Sequence, residues 1–578
     1  MDVAPPGSSL GSSPGSLGPV RRAETLDAID GGSFDVIVIG GGITGVGCAL
    51  DAVSRGLSVA VIEQRDLSSG TSSRSSKLFH GGLRYLEQFD FKLVMEALHE
   101  RELIRQRLAP HLVWPVPFVY PLEHRVWERV YVGAGITLYE ALAKLGGNTL
   151  PRQWHLGRKE LRRVFPSIRK DAFVGGIRYY DAGCDDARYV VAVARTAAAM
   201  GANILTSARV EDFTREGDRV TGVRARCLET GRELEASAQV VVNATGVWTD
   251  SVEAKVGDKT TDVTASKGIH IVVPRERIRS EVGFITKTST SVLFLIPHEH
   301  FWHIGTTDTP WDLGLAHPAA SRSDIDYVLE QVNRVVEPPL THDDVVGVYA
   351  GLRPLVSGDS ESTAKLSREH SITIPAPGLV TIAGGKYTTY RVMAQDTIDR
   401  AFESIGVPIP DTRTEDIALI GAEGYADLMA RVGEVAATYG VEPDEVHRLA
   451  RRYGDEATIV LDMAASDPRL AQQIPSGRYL GAEVRFAVEH EAALHLDDVL
   501  TRRTRLSIEC PDRAVLGAPF VAAIMGDVLG WTDATIEREL EHYEARVAAE
   551  RESQTMPDDR TADAARMGAR DIRTLGAG

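Results

Sequence analysis

The 578-residue sequence has only four cysteines, Cys48, Cys184, Cys227 and Cys510, and no two of them form a CxxC pair. This scarcity argues against a disulfide scaffold and a structural zinc site, and it is typical of proteins from a reducing cytosol. The sequence also lacks a charged start followed by an apolar run, and it has no stretch of about 18 apolar residues. We therefore expect no metal site, no secretory signal and no spanning helix, so that any membrane contact would be peripheral.

Positive charge is in the minority, because 64 Lys and Arg residues face 81 Asp and Glu residues and give a net charge of -17. Nucleic-acid binding requires clustered positive charge that releases counterions from phosphates. The balance therefore argues against nucleic acid as a partner. If the substrate is an anion, a few individual arginines or lysines must bind it.

The remaining composition is that of a soluble globular protein, with 43% apolar and 25% charged residues. Thirteen of the first twenty residues are Gly, Ser or Pro, a composition that disfavours a packed core. Short β-branched runs then alternate with helical patterns up to about residue 404, and helical patterns dominate beyond it. These shifts predict a disordered arm over 1–32, an α/β body over 33–404, a helical domain over 405–550 and a flexible tail over 551–578.

Residues 34–67 have the order strand, glycine turn, helix, strand and acidic residue. Gly40, Gly42 and Gly45 fit the GxGxxG pattern, in which the first glycine permits the turn, the second admits a pyrophosphate and the third allows close helix packing. The helix N-terminus adds free amides and partial positive charge. Glu63 follows Gly45 by 18 residues and can accept hydrogen bonds from an unphosphorylated ribose. The segment predicts a site for FAD or NAD.

Three further segments favour a flavin over a nicotinamide. Residues 70–86 contain Thr and Ser hydroxyls before a lysine and a glycine pair, which suits a phosphate and a polar ring edge. NATG at 243–246 and GGKYTT at 384–389 each follow an apolar strand, and their small residues leave room for a bulky ring. GGKYTT also opens a helical stretch whose amides can face negative charge on a reduced flavin.

These residues resemble the FAD-dependent, respiratory-type glycerol-3-phosphate dehydrogenases, within the wider D-amino-acid-oxidase-like flavoproteins. The resemblance covers residues 34–505, nearly all of the predicted folded chain. The segments that carry it are VIGGGITG, TSSRSSKLFHGGLRYL, DDARYVVAVAR, VVNATGVW, KGIHIVVP, IGTTDTP, YAGLRPL, AGGKYTTYRVM and EHEAALHLDDVLTRRTRL.

The resemblance implies a fold in three parts. A doubly wound FAD-binding domain of the glutathione-reductase and D-amino-acid-oxidase type would comprise about 33–110, 181–265 and 372–404. An antiparallel-sheet substrate domain would comprise about 111–180 and 266–371, and the C-terminal domain would be all-helical. The implied reaction is oxidation of sn-glycerol 3-phosphate to dihydroxyacetone phosphate, with hydride transfer to flavin N5 and electrons passed to a membrane quinone. The implied protein is a homodimer in the cytoplasm, peripheral on the cytoplasmic face of the membrane.

The resemblance also assigns residues to the cofactor FAD. The pyrophosphate and ribose contacts would be Gly40, Gly42, Thr44, Gly45 and Glu63. The phosphates and ring would lie near Ser72, Ser73, Lys77 and Leu78, and the adenine would meet the backbone of Val210, at the end of a strand over 203–208. The isoalloxazine would border Gly246, Gly385, Lys386 and Thr388.

The substrate residues implied in the same way are His80, Arg84, Tyr85, His270, Arg353, Arg368 and Lys386. Arginine suits a phosphate dianion because its guanidinium carries a fork of donors. His270 has a suitable pKa range for a catalytic base, and Arg353 or Lys386 could stabilise the developing alkoxide. By residue type alone, His270 could equally be a buried core histidine.

Other functions stay open on the sequence. A glycerol-phosphate oxidase that uses oxygen and releases peroxide would share all these motifs. An amine or amino-acid oxidase on the same fold, or a flavin-bearing protein without turnover, fits the cation set less well. The apolar run 130–139 indicates either a membrane-touching segment or a buried helix, of which a buried helix is the more frequent explanation.

Overall fold

The computed structural model describes residues 13–82, 91–124, 127–145, 147, 149–257, 260–288, 292–356 and 370–573. Of the predicted substrate residues, Arg84, Tyr85 and Arg368 lie outside the described residues.

The strands and α-helices are numbered along the chain. The strands are β1 Ser33–Ile39, β2 Val59–Ile62, β3 Leu78–Phe79, β4 Val113–Leu122, β5 Trp154–Gly157, β6 Gly175–Cys184, β7 Asn203–Leu205, β8 Ala208–Glu216, β9 Arg219–Cys227, β10 Glu233–Asn243, β11 Val263–Pro274, β12 Gly283–Lys287, β13 Val292–His298, β14 Phe301–Gly305, β15 Thr309–Trp311, β16 Gly347–Val356, β17 His370–Ala376 and β18 Leu379–Gly384. The helices are α1 Pro19–Ile29, α2 Ile43–Ser54, α3 Phe91–Leu103, α4 Trp127–Leu145, α5 Arg158–Val164, α6 Asp186–Ala199, α7 Thr249–Glu253, α8 Arg322–Asn333, α9 Tyr390–Ile405, α10 Tyr425–Ala430, α11 Val432–Tyr439, α12 Pro443–Tyr453, α13 Ala457–Ser466, α14 Gly481–His490, α15 Leu506–Glu509, α16 Ala518–Leu529, α17 Asp533–Ser553 and α18 Asp559–Arg566.

The first sheet has the order β17-β18-β10-β1-β2-β7. Outside this order, β9 pairs with both β10 and β8. Strand β1 pairs in parallel with β10 and β2, in the register Val36 to Val240 and Val36 to Val59. Its valine and isoleucine run is buried on both faces, as in other parallel sheets. Helices α2, α6 and α9 contribute to the core on one face, and α1 with the β8 and β9 pair contributes to the core on the other.

The second sheet has the order β15-β11-β14-β13-β12-β4-β6-β3, with β16 also paired to β11 and β5 to β6. The long pairing of β11 with β16 is antiparallel and sets His270 opposite Tyr349. Helices α5 and α8 pack their apolar residues into the core of this sheet. The predicted architecture of an α/β body with a mostly antiparallel second sheet is therefore confirmed.

The C-terminal domain is helical, as predicted, and has its own core formed by residues of α10 to α17. The predicted helical stretch over 481–503 is interrupted, because α14 ends at His490 and a π-helical turn occupies Asp498–Arg503. Among the described residues, no helix is both long and apolar enough to cross a membrane.

The prediction of a disordered arm over 1–32 is wrong for residues 13–32. Helix α1 occupies Pro19–Ile29, and Ile29 is fully buried beneath the first sheet. The Arg22 guanidinium donates to the Thr206 carbonyl at 2.5 Å. The Gly, Ser and Pro content that motivated the prediction ends at residue 19, so the average over the first twenty residues concealed the helix-forming segment behind it.

The prediction of a flexible tail over 551–578 is wrong for residues 551–573. Helix α17 continues to Ser553, and α18 follows with Ala562 buried. Arg573 is buried and donates to Asp498 Oδ2 at 2.9 Å. The segment has few large apolar residues, so it is held mainly by ion pairs that composition does not reveal.

Helix α4 contains the apolar run 130–139 and buries only part of it. Ile136 and Tyr139 face the core, in agreement with the buried-helix interpretation. Three large side chains near its start, Trp127, Val130 and Tyr131, are 62%, 68% and 61% exposed. The buried-helix interpretation therefore holds for one face of the helix, and the membrane-touching interpretation stays a prediction for the exposed face.

Candidate flavin and substrate site

The glycine turn between β1 and α2 has two closed positions and one open position. A Cβ on Gly40, whose φ is +114°, would lie 2.6 Å from the Ala244 carbonyl oxygen, and a Cβ on Gly45 would lie 2.0 Å from the Gly40 carbonyl oxygen. A Cβ on Gly42 would have only the Ser72 hydroxyl within 4 Å, at 3.2 Å. Gly40 and Gly45 are therefore required by packing, whereas Gly42 leaves its backbone open to a ligand.

Glu63 lies directly after β2 and beneath this turn. The Gly41 N–H donates to its Oε2 at 2.6 Å, and the Arg65 N–H donates to its Oε1 at 2.7 Å. Burial is the main influence on this carboxyl and raises its pKa. Each carboxylate oxygen retains acceptor capacity, so Glu63 is fixed in place and can still receive a ribose hydroxyl.

The hydroxyl-rich loop after Glu63 is tied to the N-terminus of α2 and to the N-terminus of α6. The Ile43 N–H donates to Ser72 Oγ at 3.0 Å. Lys77 is buried, and its Nζ donates to Asp186 Oδ1 at 2.6 Å and to the Ser73 carbonyl at 3.1 Å. Asp186 also accepts from Ser75 Oγ at 2.7 Å. The charge of Lys77 is thus compensated by a buried carboxylate that the sequence reading did not single out.

His270 lies on β11 and is 2% exposed. Its Nε2 is 3.0 Å from Ser76 Oγ, and its ring stacks on Tyr349 with centroids 4.9 Å apart and planes inclined by 7°. Burial, followed by the charges of Arg353 and Lys77, lowers its pKa to about 3. The imidazole is therefore neutral near neutral pH and retains a lone pair.

Two glycines make room for the polar side chains of this sheet. A Cβ on Gly305 would lie 2.6 Å from His270 Cδ2, and a Cβ on Gly268 would lie 2.5 Å from an Arg353 guanidinium nitrogen. Arg353 projects from β16 and donates to Thr306 Oγ1 at 3.0 Å and to the Thr307 carbonyl at 3.3 Å. Asp308 lies 3.4 Å from the same guanidinium. The Arg353 side chain is therefore oriented before any substrate arrives.

The segments around residues 80 and 386 meet through Thr388. The His80 N–H donates to Thr388 Oγ1 at 3.2 Å, and this hydroxyl donates to the His80 carbonyl at 3.3 Å. Lys386 is buried at the start of the turn that leads into α9. The loop 75–80 thus contacts His270 at one end and the Lys386 segment at the other. Four predicted substrate residues, His80, His270, Arg353 and Lys386, belong to elements that this loop and the β11–β16 pair connect.

The other predicted flavin residues lie at turns between strands and helices. Leu78 is buried in β3 and Thr44 is half-buried in α2. Gly246 has a φ of +62°, and no atom lies within 4 Å of a Cβ built on it; Gly385 has a φ of +81°. The expectation that Val210 ends a strand over 203–208 is wrong, because β7 ends at Leu205 and Val210 is the third residue of β8. Ser207 between them has a φ of +52°, which breaks the strand.

The residues that are present fit FAD. The open backbone at Gly42 suits a diphosphate, and the open space beside Gly246 suits a bulky group. The Glu63 carboxylate is held where it can accept a hydrogen bond from a ribose hydroxyl. Sequence reasoning missed Ser76, Tyr349 and Asp186 as partners of His270 and Lys77. Each lies inside a quoted motif, but its role depends on a residue of another motif that is distant in the sequence.

A doubly wound sheet with a glycine turn, a fixed ribose acid and a polar pocket on a second sheet defines a nucleotide-dependent oxidoreductase. Residues 35–391 match the family model described as FAD dependent oxidoreductase, and the chain belongs to this family. It is an FAD-dependent oxidoreductase enzyme with FAD as its cofactor. Residues 412–536 match the C-terminal domain of alpha-glycerophosphate oxidase.

Named relatives cover nearly the whole chain. Glycerol-3-phosphate dehydrogenase 2 of Mycobacterium tuberculosis is 53% identical over 96% of this chain and 95% of its own length. The human mitochondrial glycerol-3-phosphate dehydrogenase is 37% identical over 90% of this chain and 74% of its own length. The crystal structure of glycerol-3-phosphate dehydrogenase from Bacillus halodurans, complexed with FAD, superposes with a TM-score of 0.76 at 30% identity, covering 91% of this chain and 97% of that chain.

Proposed function

We propose that the protein oxidises sn-glycerol 3-phosphate to dihydroxyacetone phosphate. The observation that carries the proposal is the joining of His270, Arg353, His80 and the Lys386 segment through one loop and one strand pair. The names of the relatives support the same substrate. When bound, FAD supplies a hydride acceptor at N5, and the protein must bind the phosphate, orient the secondary alcohol and remove its proton.

His270 is the proposed base for the hydroxyl proton. The neutral ring, held by Ser76 and Tyr349, has a fixed orientation and can accept a proton at a ring nitrogen. Its pKa is lowered partly by the positive charges of Arg353 and Lys77. A bound phosphate dianion offsets these charges, so substrate binding itself raises the basicity of His270.

Arg353 is the proposed partner of the substrate oxygen or phosphate. Its guanidinium is already anchored on Thr306, Thr307 and Asp308, so little reorganisation accompanies the reaction. Donors that are fixed before charge develops stabilise the transition state more than mobile ones. Lys386 is buried two residues before Thr388, and it is the second cation proposed for this role.

The experiment that tests this proposal is an anaerobic visible spectrum of the FAD-loaded protein. We expect sn-glycerol 3-phosphate to bleach the flavin absorbance, and the enantiomer sn-glycerol 1-phosphate to serve as the matched control without bleaching. A flavin that stays oxidised with sn-glycerol 3-phosphate but is bleached by an amine or amino acid would overturn the substrate assignment while leaving the fold intact.

A membrane quinone is the proposed electron acceptor. Trp127, Val130 and Tyr131 project from α4, and an apolar and aromatic patch of this kind suits the interface of a membrane. The protein would then be a peripheral membrane protein. We expect Val130→Asp/Tyr131→Glu to reduce binding to phospholipid vesicles, with Val20→Asp as a control at another exposed apolar position. Equal vesicle binding by the unmodified protein, the double variant and Val20→Asp would contradict the proposal that this surface contacts the membrane.

Oxygen is the second candidate acceptor, because the C-terminal segment matches a domain described from an oxidase. The two acceptors are separated by measuring peroxide yield in air and reduction of a soluble quinone analogue on the same preparation. Peroxide in an amount equal to the substrate oxidised, without quinone reduction, would favour the oxidase. Quinone reduction with little peroxide is the result we expect.

A further inference from the structure

Two adjoining cavities lie where the α/β body, the C-terminal domain and the tail meet. Their linings share five residues: Arg74, His317, Thr501, Arg546 and Arg566. The first cavity encloses about 550 Å³, including open solvent at its mouth. Neither lining includes the glycine turn 40–45 or Glu63. The first cavity therefore contains none of the predicted flavin residues, whereas the adjoining cavity includes Ser73 and Lys77 of the predicted flavin loop.

Arginine dominates the lining of the first cavity. Seven arginines line it, namely Arg65, Arg74, Arg502, Arg546, Arg566, Arg570 and Arg573, against the two carboxylates of Asp497 and Asp571. Several of these arginines are paired. Arg65 lies 3.0 Å from Asp571, and Arg546 lies 2.8 Å from Asp497 and 3.2 Å from Glu550.

In the part of the chain that the structure describes, Arg570 has no acidic partner but is exposed to solvent, whereas Arg74 is half-buried and Arg566 buried, and neither of these two has an acidic partner. Among the described residues, no carboxylate oxygen lies within 4 Å of either guanidinium. Arg566 is only 5% exposed, and its guanidinium lies 3.5 Å from His317 Nδ1. Burial, then neighbouring arginines, lower the pKa of Arg74 to about 9 and that of Arg566 to about 10. Burying a cation without a negatively charged partner is unfavourable, so this pair of arginines favours the binding of an anion.

We propose that this cavity, named here the interdomain arginine site, binds a phosphate dianion, either free phosphate or the phosphate group of a small ester. Two uncompensated guanidinium groups match the two charges of one such group, and each offers a fork of donors. Ser73 and Lys77 line the adjoining cavity, but Lys77 is already paired with Asp186. The proposal does not depend on the oxidation of glycerol phosphate.

The position of the site gives it a structural consequence. Arg74 belongs to the hydroxyl-rich loop of the body, Arg546 to α17 and Arg566 to α18. An anion that contacts these three residues joins the tail and the C-terminal domain to the loop that holds the flavin. A ligand that binds only the assembled arrangement stabilises it by mass action.

The test uses the full-length protein saturated with FAD in a low-salt buffer without phosphate. Inorganic phosphate and methyl phosphate are titrated by calorimetry, and hydrogen exchange of residues 559–573 is followed in parallel. We expect binding accompanied by protection of the tail, with at least about tenfold weaker binding for Arg566→Gln and Arg74→Gln. Arg560→Gln, an exposed arginine on the same helix, is the matched control and should bind as the unmodified protein does.

The Arg353→Gln variant distinguishes phosphate binding in the substrate pocket from binding at the interdomain arginine site. It should leave the protection of the tail by phosphate intact even if substrate oxidation is lost. Methyl phosphate binding would identify an ester as a possible occupant, and binding of inorganic phosphate alone would identify the free ion. Unchanged phosphate affinity and tail protection in Arg566→Gln would overturn the proposal. Loss of FAD from Arg566→Gln would also overturn it, because the arginines would then serve the cofactor's diphosphate.

Discussion

The glycine turn and the substrate pocket lie in the same α/β body but are built from very different spans of sequence. Gly45 packs against the Gly40 carbonyl and Glu63 accepts from the Gly41 N–H, all within a short segment of strand, turn, helix and strand. Ser76 and His270 are 194 positions apart, and Arg353 joins them through the pairing of β11 with β16. Local contacts can be recognised from spacing, whereas pocket contacts exist only after two strands have paired. Substitutions should therefore act on folding and cofactor binding in the first region, and on chemistry in the second.

The largest effect is expected within the glycine turn, where Gly45→Val and Gly42→Val should differ. The Gly45 side chain would collide with the Gly40 carbonyl, so it should destabilise the folded protein by about 1–3 kcal/mol or more as well as prevent FAD binding. The Gly42→Val side chain meets only the Ser72 hydroxyl, so it should expel FAD while destabilising the apoprotein less than Gly45→Val does. Urea unfolding of both apoproteins, with FAD absorbance of both holoproteins, checks this. Full FAD occupancy in Gly42→Val would show that the open position does not face the cofactor.

The second prediction concerns Arg353→Gln in the substrate pocket. Loss of a fixed cation that stabilises developing negative charge should slow flavin reduction by about 10²–10³-fold. The FAD content should stay unchanged, because Arg353 contacts Thr306, Thr307 and Asp308 and no part of the glycine turn. Stopped-flow reduction under anaerobic conditions measures the rate. Reduction at the unmodified rate at every substrate concentration would remove Arg353 from the pocket.

The third prediction uses a glycine that acts across strands. Gly305→Ala places a Cβ 2.6 Å from the His270 ring and 2.5 Å from the Ile269 carbonyl, so the ring must move. We expect flavin reduction to slow by about 10–10²-fold through misplacement of the proposed base, with FAD retained. Gly433→Ala is the matched control, because no atom lies within 4 Å of its Cβ on α11. Equal rates for both variants would mean that the position of His270 does not limit the reaction.

The same contrast explains what the sequence could predict. The parallel strands and the glycine turn were predicted correctly because apolar runs and glycine spacing are local signals. The helix at residues 19–29 was missed because its glycine-rich and serine-rich prefix dominated the average. The ordered tail was missed because Arg573 is held by Asp498, an ion pair between distant residues.

The candidate site shows what cannot be predicted from a single sequence motif. Lys77 was placed near the cofactor phosphates by resemblance, but the structure pairs it with Asp186, and only the folded arrangement of the loop and α6 brings them together. The break at Ser207 that moves Val210 into β8 depends on one positive φ angle, which the residue types of this segment do not predict. Residue types predict which chemistry is available, and strand pairing decides which residues perform it.

The smallest effect is expected at Ser76, which touches His270 without being part of the predicted chemistry. Ser76→Ala removes the hydroxyl 3.0 Å from His270 Nε2, while the stacking of His270 on Tyr349 remains. One lost hydrogen bond of about 1 kcal/mol corresponds to a several-fold slower flavin reduction at saturating substrate, with unchanged substrate affinity and FAD content. Ser76→Thr keeps the hydroxyl and should restore most of the rate, which a purely structural role for Ser76 would not require. If the alanine variant reduces its flavin as fast as the unmodified protein, ring stacking alone orients His270, and the β11–β16 pairing is then sufficient to build the base.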